Sequence, residues 1–225
     1  MPSPKTPAAV AAISRKISEF LDLTDDQARV IGNAKYGVYA FYDYDGEPIY
    51  VGQTSERLRV RIRRHLTNQR TDAVAMNVLD PAEVAEIEVW PLFDLGNLSA
   101  ADAANKLSQG EYTVFQQVLQ SSALGAVLNE KDIQPTDLIT LPPSFRRRII
   151  PEDIYEQLKH PDVRIARRAS TIANLARVIS ERDVSNGLRK TLVTQAQRLE
   201  RLARSRLDEI SGTVPVEEPG EETGD

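Results

Sequence analysis

The chain of 225 residues contains no cysteine, which excludes disulfides, cysteine-ligated zinc and thiol catalysis. Long apolar runs are also missing: no stretch approaches the roughly 20 residues that a membrane-spanning helix needs. The opening segment, MPSPKTPAAVAAISRKISEF, interleaves charged with apolar positions as no secretory signal does. The expectation is a soluble, cytoplasmic protein. Nor is basic charge in surplus, since the net charge is −5.

The two signs are segregated, however. Arg57, Arg59, Arg61, Arg63, Arg64 and Arg70 crowd one predicted helix, and a second basic series runs through Arg146, Arg147, Arg148, Arg164, Arg167 and Arg168. Acidic residues collect in Glu217, Glu218, Glu221, Glu222 and Asp225, in a tail over 212–225 whose composition predicts disorder. The remainder is then close to neutral with basic patches, and a locally positive face suffices to hold phosphates.

What is present is concentrated at residues 36–65, YGVYAFYDYDGEPIYVGQTSERLRVRIRRH. Two runs of β-branched and aromatic residues, at 38–41 and 48–51, flank an Asp45-Gly46 pair, the pattern of an antiparallel hairpin. A helix follows, in which Leu58, Ile62 and Leu66 recur every four residues as a buried stripe. Arg57, Arg61 and His65 keep the same interval one position earlier, along the edge of that stripe, where a side chain is held and still reaches solvent.

Gly37-Val38-Tyr39, a ten-residue spacer, Tyr50-Val51-Gly52, and then Arg61 and His65 four apart resemble the signature of the GIY-YIG nuclease family, with valine for isoleucine in both tripeptides. Glu111 in GEYTVFQQVL and Asn129 in GAVLNEKD stand in the order of that family's metal-binding glutamate and later asparagine. The resemblance covers about residues 35–135. It implies an α+β fold, a small antiparallel three-stranded sheet flanked by helices. To this the chain adds an N-terminal leader and helix (1–34), a proline-rich connection (136–151) and a C-terminal helical arm (152–211).

Along the rest of the chain, apolar periodicity predicts a helix over 8–21 and a further helical turn or two over 24–31. The stretch 71–81 has no assignable element, and 84–92 alternates apolar with acidic residues as a half-buried third strand. Ser99, with Asp102 three residues on, opens a helix that runs to about Gln120 unless Gly110 breaks it. Glu111 precedes Val114 and Phe115 by three and four residues and so faces inward, where a carboxylate needs a metal or a counter-charge. Helical periodicity returns at 152–158, 163–179 and 184–210, with Asn186-Gly187 as an interruption. That arm packs on the catalytic domain, pairs with a second copy in a homodimer, or contacts DNA through its arginines.

Phosphodiester hydrolysis needs a deprotonated water, a cation for the phosphate and help for the leaving oxygen. The resemblance implies that Tyr39 orients or deprotonates water with Tyr50 in support, that Arg61 grips the phosphate, and that Glu111 holds a single Mg²⁺ or Mn²⁺. His65 and Asn129 complete the catalytic set, and Gly52 and Arg57 join Arg61 at the substrate, with a merely solvated Arg57 as the alternative. A phenol with a pKa near ~10 requires either a stabilised phenolate or a relay through His65. Taken singly, each of these residues has an ordinary structural explanation, and only their joint order points to chemistry. The resemblance implies an endonuclease acting on DNA in restriction, phage defence, mobile-element or repair biology. A non-catalytic nucleic-acid-binding or assembly module and an RNA-directed nuclease remain alternatives.

Overall fold

The structure, a computed structural model, describes residues 8–66, 80–129 and 131–212. The leader at 1–7, Arg70, most of the 71–81 stretch and all of the acidic tail but Gly212 lie outside the described residues. Helix α1 (Ala8–Leu21) leads through a 3-10 turn at Ile31–Asn33 to strands β1 (Gly37–Tyr42) and β2 (Pro48–Thr54) and helix α2 (Leu58–Leu66). Strand β3 (Glu86–Pro91) and helix α3 (Ala100–Ser121) follow, then strand β4 (Phe145–Arg148) and helices α4 (Glu152–Lys159), α5 (Pro161–Glu181) and α6 (Asn186–Ser211). The 24–31 segment forms an isolated bridge between Thr24 and Val30 in place of the expected helical turns.

The sheet is antiparallel in the order β2-β1-β3-β4. Every residue of β1 is buried, which is why GVYAFY reads as an unbroken apolar run: the strand is central and covered on both faces. Tyr39 and Phe41 pack with Ile17, Leu21, Leu58 and Ile62 of α1 and α2. Val38, Ala40 and Tyr42 pack on the opposite face with Ala103, Leu107, Val114 and Val118 of α3.

Three expectations are decided by the structure. The sheet has four strands, not three, because the stretch at 136–151 contributes β4, which pairs with β3 from Glu86↔Arg148 to Val89↔Phe145. Its FRRR sequence shows no apolar alternation; charge complementarity replaces it, with Arg146 bonded to Glu86 at 2.6 Å and its guanidinium 3.6 Å over the Tyr42 ring. Gly110 does not break α3. A Cβ there would lie 3.4 Å from both Val38 and Leu92, the short end of ordinary contact, so the helix passes close to the sheet at this residue. Nor does Asn186-Gly187 interrupt a helix, since it opens α6.

The helical arm is tied to the hairpin by its arginines. Asp43 Oδ1 closes the β1–β2 turn by accepting from the backbone N–H groups of Asp45 (2.9 Å) and Glu47 (3.1 Å), and Gly46 supplies the left-handed φ of 74°. Asp43 Oδ2 accepts from Arg168 (2.9 Å) and Arg198 (2.5 Å), and Arg164 holds Asp45 through two bonds of 3.0 and 2.6 Å. Glu83 accepts from Arg167 and Arg168. Asp43 and Arg164 are each 2% exposed and Arg198 3%, so much of the second basic series is internal structure and not a phosphate-facing surface.

A buried charge stripped of its partner is costly. Asp43→Ala is therefore expected to destabilise the protein by about 3–5 kcal/mol, read from the urea midpoint. Arg204→Ala, which breaks only the exposed pair with Glu200, should stay within about 0.5 kcal/mol of wild type.

Candidate active site

The far end of the hairpin brings the tyrosines together through a missing side chain. Tyr39 lies opposite Gly52, and Phe41 opposite Tyr50, so both phenols leave the sheet on the α2 face. A Cβ on Gly52 would stand 2.7 Å from the Tyr39 hydroxyl and 2.7 Å from Tyr50 Cε1. Glycine at 52 thus admits both rings, which pack at 6.1 Å between centroids. Gly37 plays the matching part at the start of β1, where a Cβ would fall 2.8 Å from Leu58 Cδ1, so its absence lets α2 begin directly over the strand. His65, buried on α2, presents its ring edge-on to Tyr39 at 5.8 Å and lies 5.0 Å from Tyr50. Tyr39 is fully enclosed while Tyr50 keeps partial exposure.

The arginines of α2 separate by position. Arg61 Nε donates to Tyr39 Oη at 3.1 Å. Burial opposes its charge, but the Tyr39 phenol, its hydrogen bond, Tyr50 and Glu56 outweigh that and hold the guanidinium above its ordinary pKa. Arg59 bonds Asp22 (2.6 Å) and the Leu21 carbonyl (3.2 Å), Arg63 bonds Ser18 (2.7 Å), and Arg64 pairs with Glu56. These three anchor the helix to its neighbours. Arg57 is exposed just before the first turn.

Glu111 reaches the same place from the opposite face. Strand β2 is an edge strand, whose outward backbone groups need partners. Leu128 N–H donates to the Ile49 carbonyl at 2.7 Å. Asn129 then acts as a substitute peptide group: its Oδ1 accepts from Val51 N–H at 3.1 Å and its Nδ2 donates to the Val51 carbonyl at 2.6 Å. Next along the strand, the Gln53 N–H donates to the Glu111 carboxylate. Burial pushes the Glu111 carboxyl up to about 7, against the lowering effects of that N–H and of the Arg61 charge.

Tyr39, Tyr50 and His65 therefore form one ring cluster, with Arg61 bonded to Tyr39 and Glu111 within the field of Arg61 at the adjoining strand edge. Asn129 is beside them, but both ends of its amide are engaged by the backbone of Val51, so its place is that of an edge clamp and not of a group turned toward substrate. The sequence offers no signal for the part of Gln53, whose main chain receives Glu111. Among the described residues no cluster of three or more His, Cys, Asp or Glu could hold a metal.

Gly52→Ala drives a methyl into two rings at once. It is expected to cost about 1–3 kcal/mol of stability, measured by denaturant unfolding, and to alter the near-ultraviolet circular dichroism of the tyrosines.

Residues 35–97 match the family model described as the GIY-YIG catalytic domain. No curated protein and no solved structure gives a significant match, and no helix among the described residues is long and apolar enough to cross a membrane. The matched segment holds β1, β2, α2 and β3 with Tyr39, Tyr50, Arg61 and His65, while Glu111 and Asn129 lie beyond it and join it only in space. Residues 35–97 are thus similar to the catalytic domain of the GIY-YIG nuclease family.

Proposed function

We propose that this chain is a divalent-metal-dependent endonuclease that hydrolyses DNA phosphodiester bonds at the β2 edge. The observation that carries the reading is the guanidinium of Arg61 seated on the Tyr39 phenol, with a desolvated carboxylate, Glu111, at the next backbone position of the same strand end. In the reaction, water oxygen bonds to phosphorus, the bond from phosphorus to the leaving oxygen breaks, and the water proton must be taken up. Arg61 opposes the charge growing on the non-bridging oxygens. It also favours the anionic form of Tyr39 by donating to its oxygen. Tyr50, partly exposed and stacked on Tyr39, is the phenol that can meet an incoming phosphate. In this reading His65, in contact with both rings, is the group that relays a proton between them.

The residues present fit one hard cation. Glu111 is a carboxylate held away from water, outside any cluster of three or more metal-ligating side chains among the described residues, and Mg²⁺ accepts one carboxylate while keeping several waters. When bound there, the ion supplies positive charge against the phosphate oxygens. Arg164, Arg167, Arg168 and Arg198 of the arm are engaged internally, and a second copy pairing through the arm would meet the exposed Val193, Leu207 and Ile210 of α6. Such a homodimer would set two sites against two strands.

Supercoiled plasmid should be nicked by the wild-type protein in Mg²⁺ or Mn²⁺, left intact in EDTA, and cut at least about 100-fold more slowly by Glu111→Ala. Retained binding with no cleavage under any metal would instead identify a non-catalytic module, and cleavage confined to RNA would move the substrate class.

The raised pKa of Glu111 sets a pH dependence. Only its ionised form takes a cation, so apparent Mn²⁺ affinity should fall about tenfold per unit as pH drops below about 7 and level off above. In the metal-free protein the folded-state value lies above the ordinary carboxylate value of 4.5, so the contribution of this group is full below that pH and is lost as pH rises through about 7. Glu111→Gln should remove that slope from stability measured in EDTA between pH 5 and pH 8.

A further inference from the structure

Gln53 follows Gly52 on β2 and pairs opposite Val38, whose side chain packs in the cluster under α3. Directly paired residues share a face, so the Gln53 side chain leaves the sheet toward α3, the helix that carries Glu111. There its Oε1 is buried and has no hydrogen-bond partner among the described residues. Buried carbonyl oxygens are almost always paired, and an orphan calls for an explanation. The backbone N–H of the same residue holds the Glu111 carboxylate. One residue thus places an acidic oxygen on its main chain and presents a neutral amide oxygen from its side chain, both on the α3 side of the strand edge.

Other orphan oxygens lack this relation. Gln109 Oε1 is buried on α3, but two residues before Glu111 is about 200° around the helix. Thr191 Oγ1 lies on α6, among the arm helices. An amide oxygen is a hard ligand of the kind that Mg²⁺, Mn²⁺ and Ca²⁺ accept, and a site with a single carboxylate has vacant positions for it. We propose that Gln53 Oε1 is a second protein oxygen for the divalent cation held by Glu111. The proposal rests on the metal-dependent reading above and adds a ligand to it.

The test is Mn²⁺ titration of the full chain, with free Mn²⁺ followed by electron paramagnetic resonance at pH 8, where Glu111 is ionised, together with melting in EDTA. Gln53→Met keeps the length of the side chain and removes the oxygen. It should weaken Mn²⁺ binding about tenfold while melting near wild type in EDTA. Gln53→Glu should tighten binding, because a charged oxygen replaces a neutral one beside the ion, and this change of sign is not expected from a packing defect. If both variants bind Mn²⁺ within about twofold of wild type while Glu111→Ala does not bind, Gln53 is no ligand and the metal reading stands. If wild type binds no Mn²⁺, or Glu111→Ala binds it equally well, the metal reading fails and takes this proposal with it. If Gln53→Met does not fold, the direction of change in Gln53→Glu decides.

Discussion

An outermost strand leaves half of its backbone polar groups without a neighbour, and at β2 that constraint shapes the candidate site. Three successive outward positions are closed by different chemistry: a main-chain amide from Leu128 at Ile49, a side-chain amide from Asn129 at Val51, and a carboxylate from Glu111 at Gln53. Asparagine suits the middle position because its amide reproduces the donor and acceptor of a peptide group. A carboxylate at the last serves as the acceptor for the Gln53 N–H. Edge protection and placement of an ionisable group beside Arg61 are accomplished by one contact, so the fold and the chemistry cannot be separated at this point.

Charge behaves in the same economical manner. A count of arginines suggests two nucleic-acid-facing patches, yet most of them are consumed by the protein's own carboxylates. Arg59 and Arg64 pair with Asp22 and Glu56, Arg146 with Glu86, and Arg164, Arg167, Arg168 and Arg198 with Asp43, Asp45 and Glu83. Arginine is suited to such burial because it stays charged and offers a planar set of donors. The one guanidinium of α2 that points into the aromatic cluster is Arg61, and its partner is a phenol instead of a carboxylate.

The hairpin, α2, β3 and α3 could be read from the sequence because each carries a local signal: alternation, an Asp-Gly turn, a four-residue apolar stripe, a serine cap. The convergence of Tyr39, Tyr50, Arg61 and His65 was readable for the same reason, since all four lie within thirty residues. Strand β4 was not, because arginines opposite glutamates leave no apolar alternation to detect. The binding of the arm to Asp43 was equally hidden, since it joins residues separated by 125 and 155 positions. Gln53 gave no sign of its own, as its contribution depends on which face and which edge its strand exposes.

The grip of α5 and α6 on the turn at Asp43 bears on how this architecture could be reshaped. A chimera that grafted foreign recognition helices onto the sheet would bury an aspartate with nothing to neutralise it, unless the incoming helices brought guanidinium groups at matching heights or the acid were exchanged for a neutral turn former. Modularity here is therefore limited by a charge lying deep under the joint, and not by the length or composition of the linker above it.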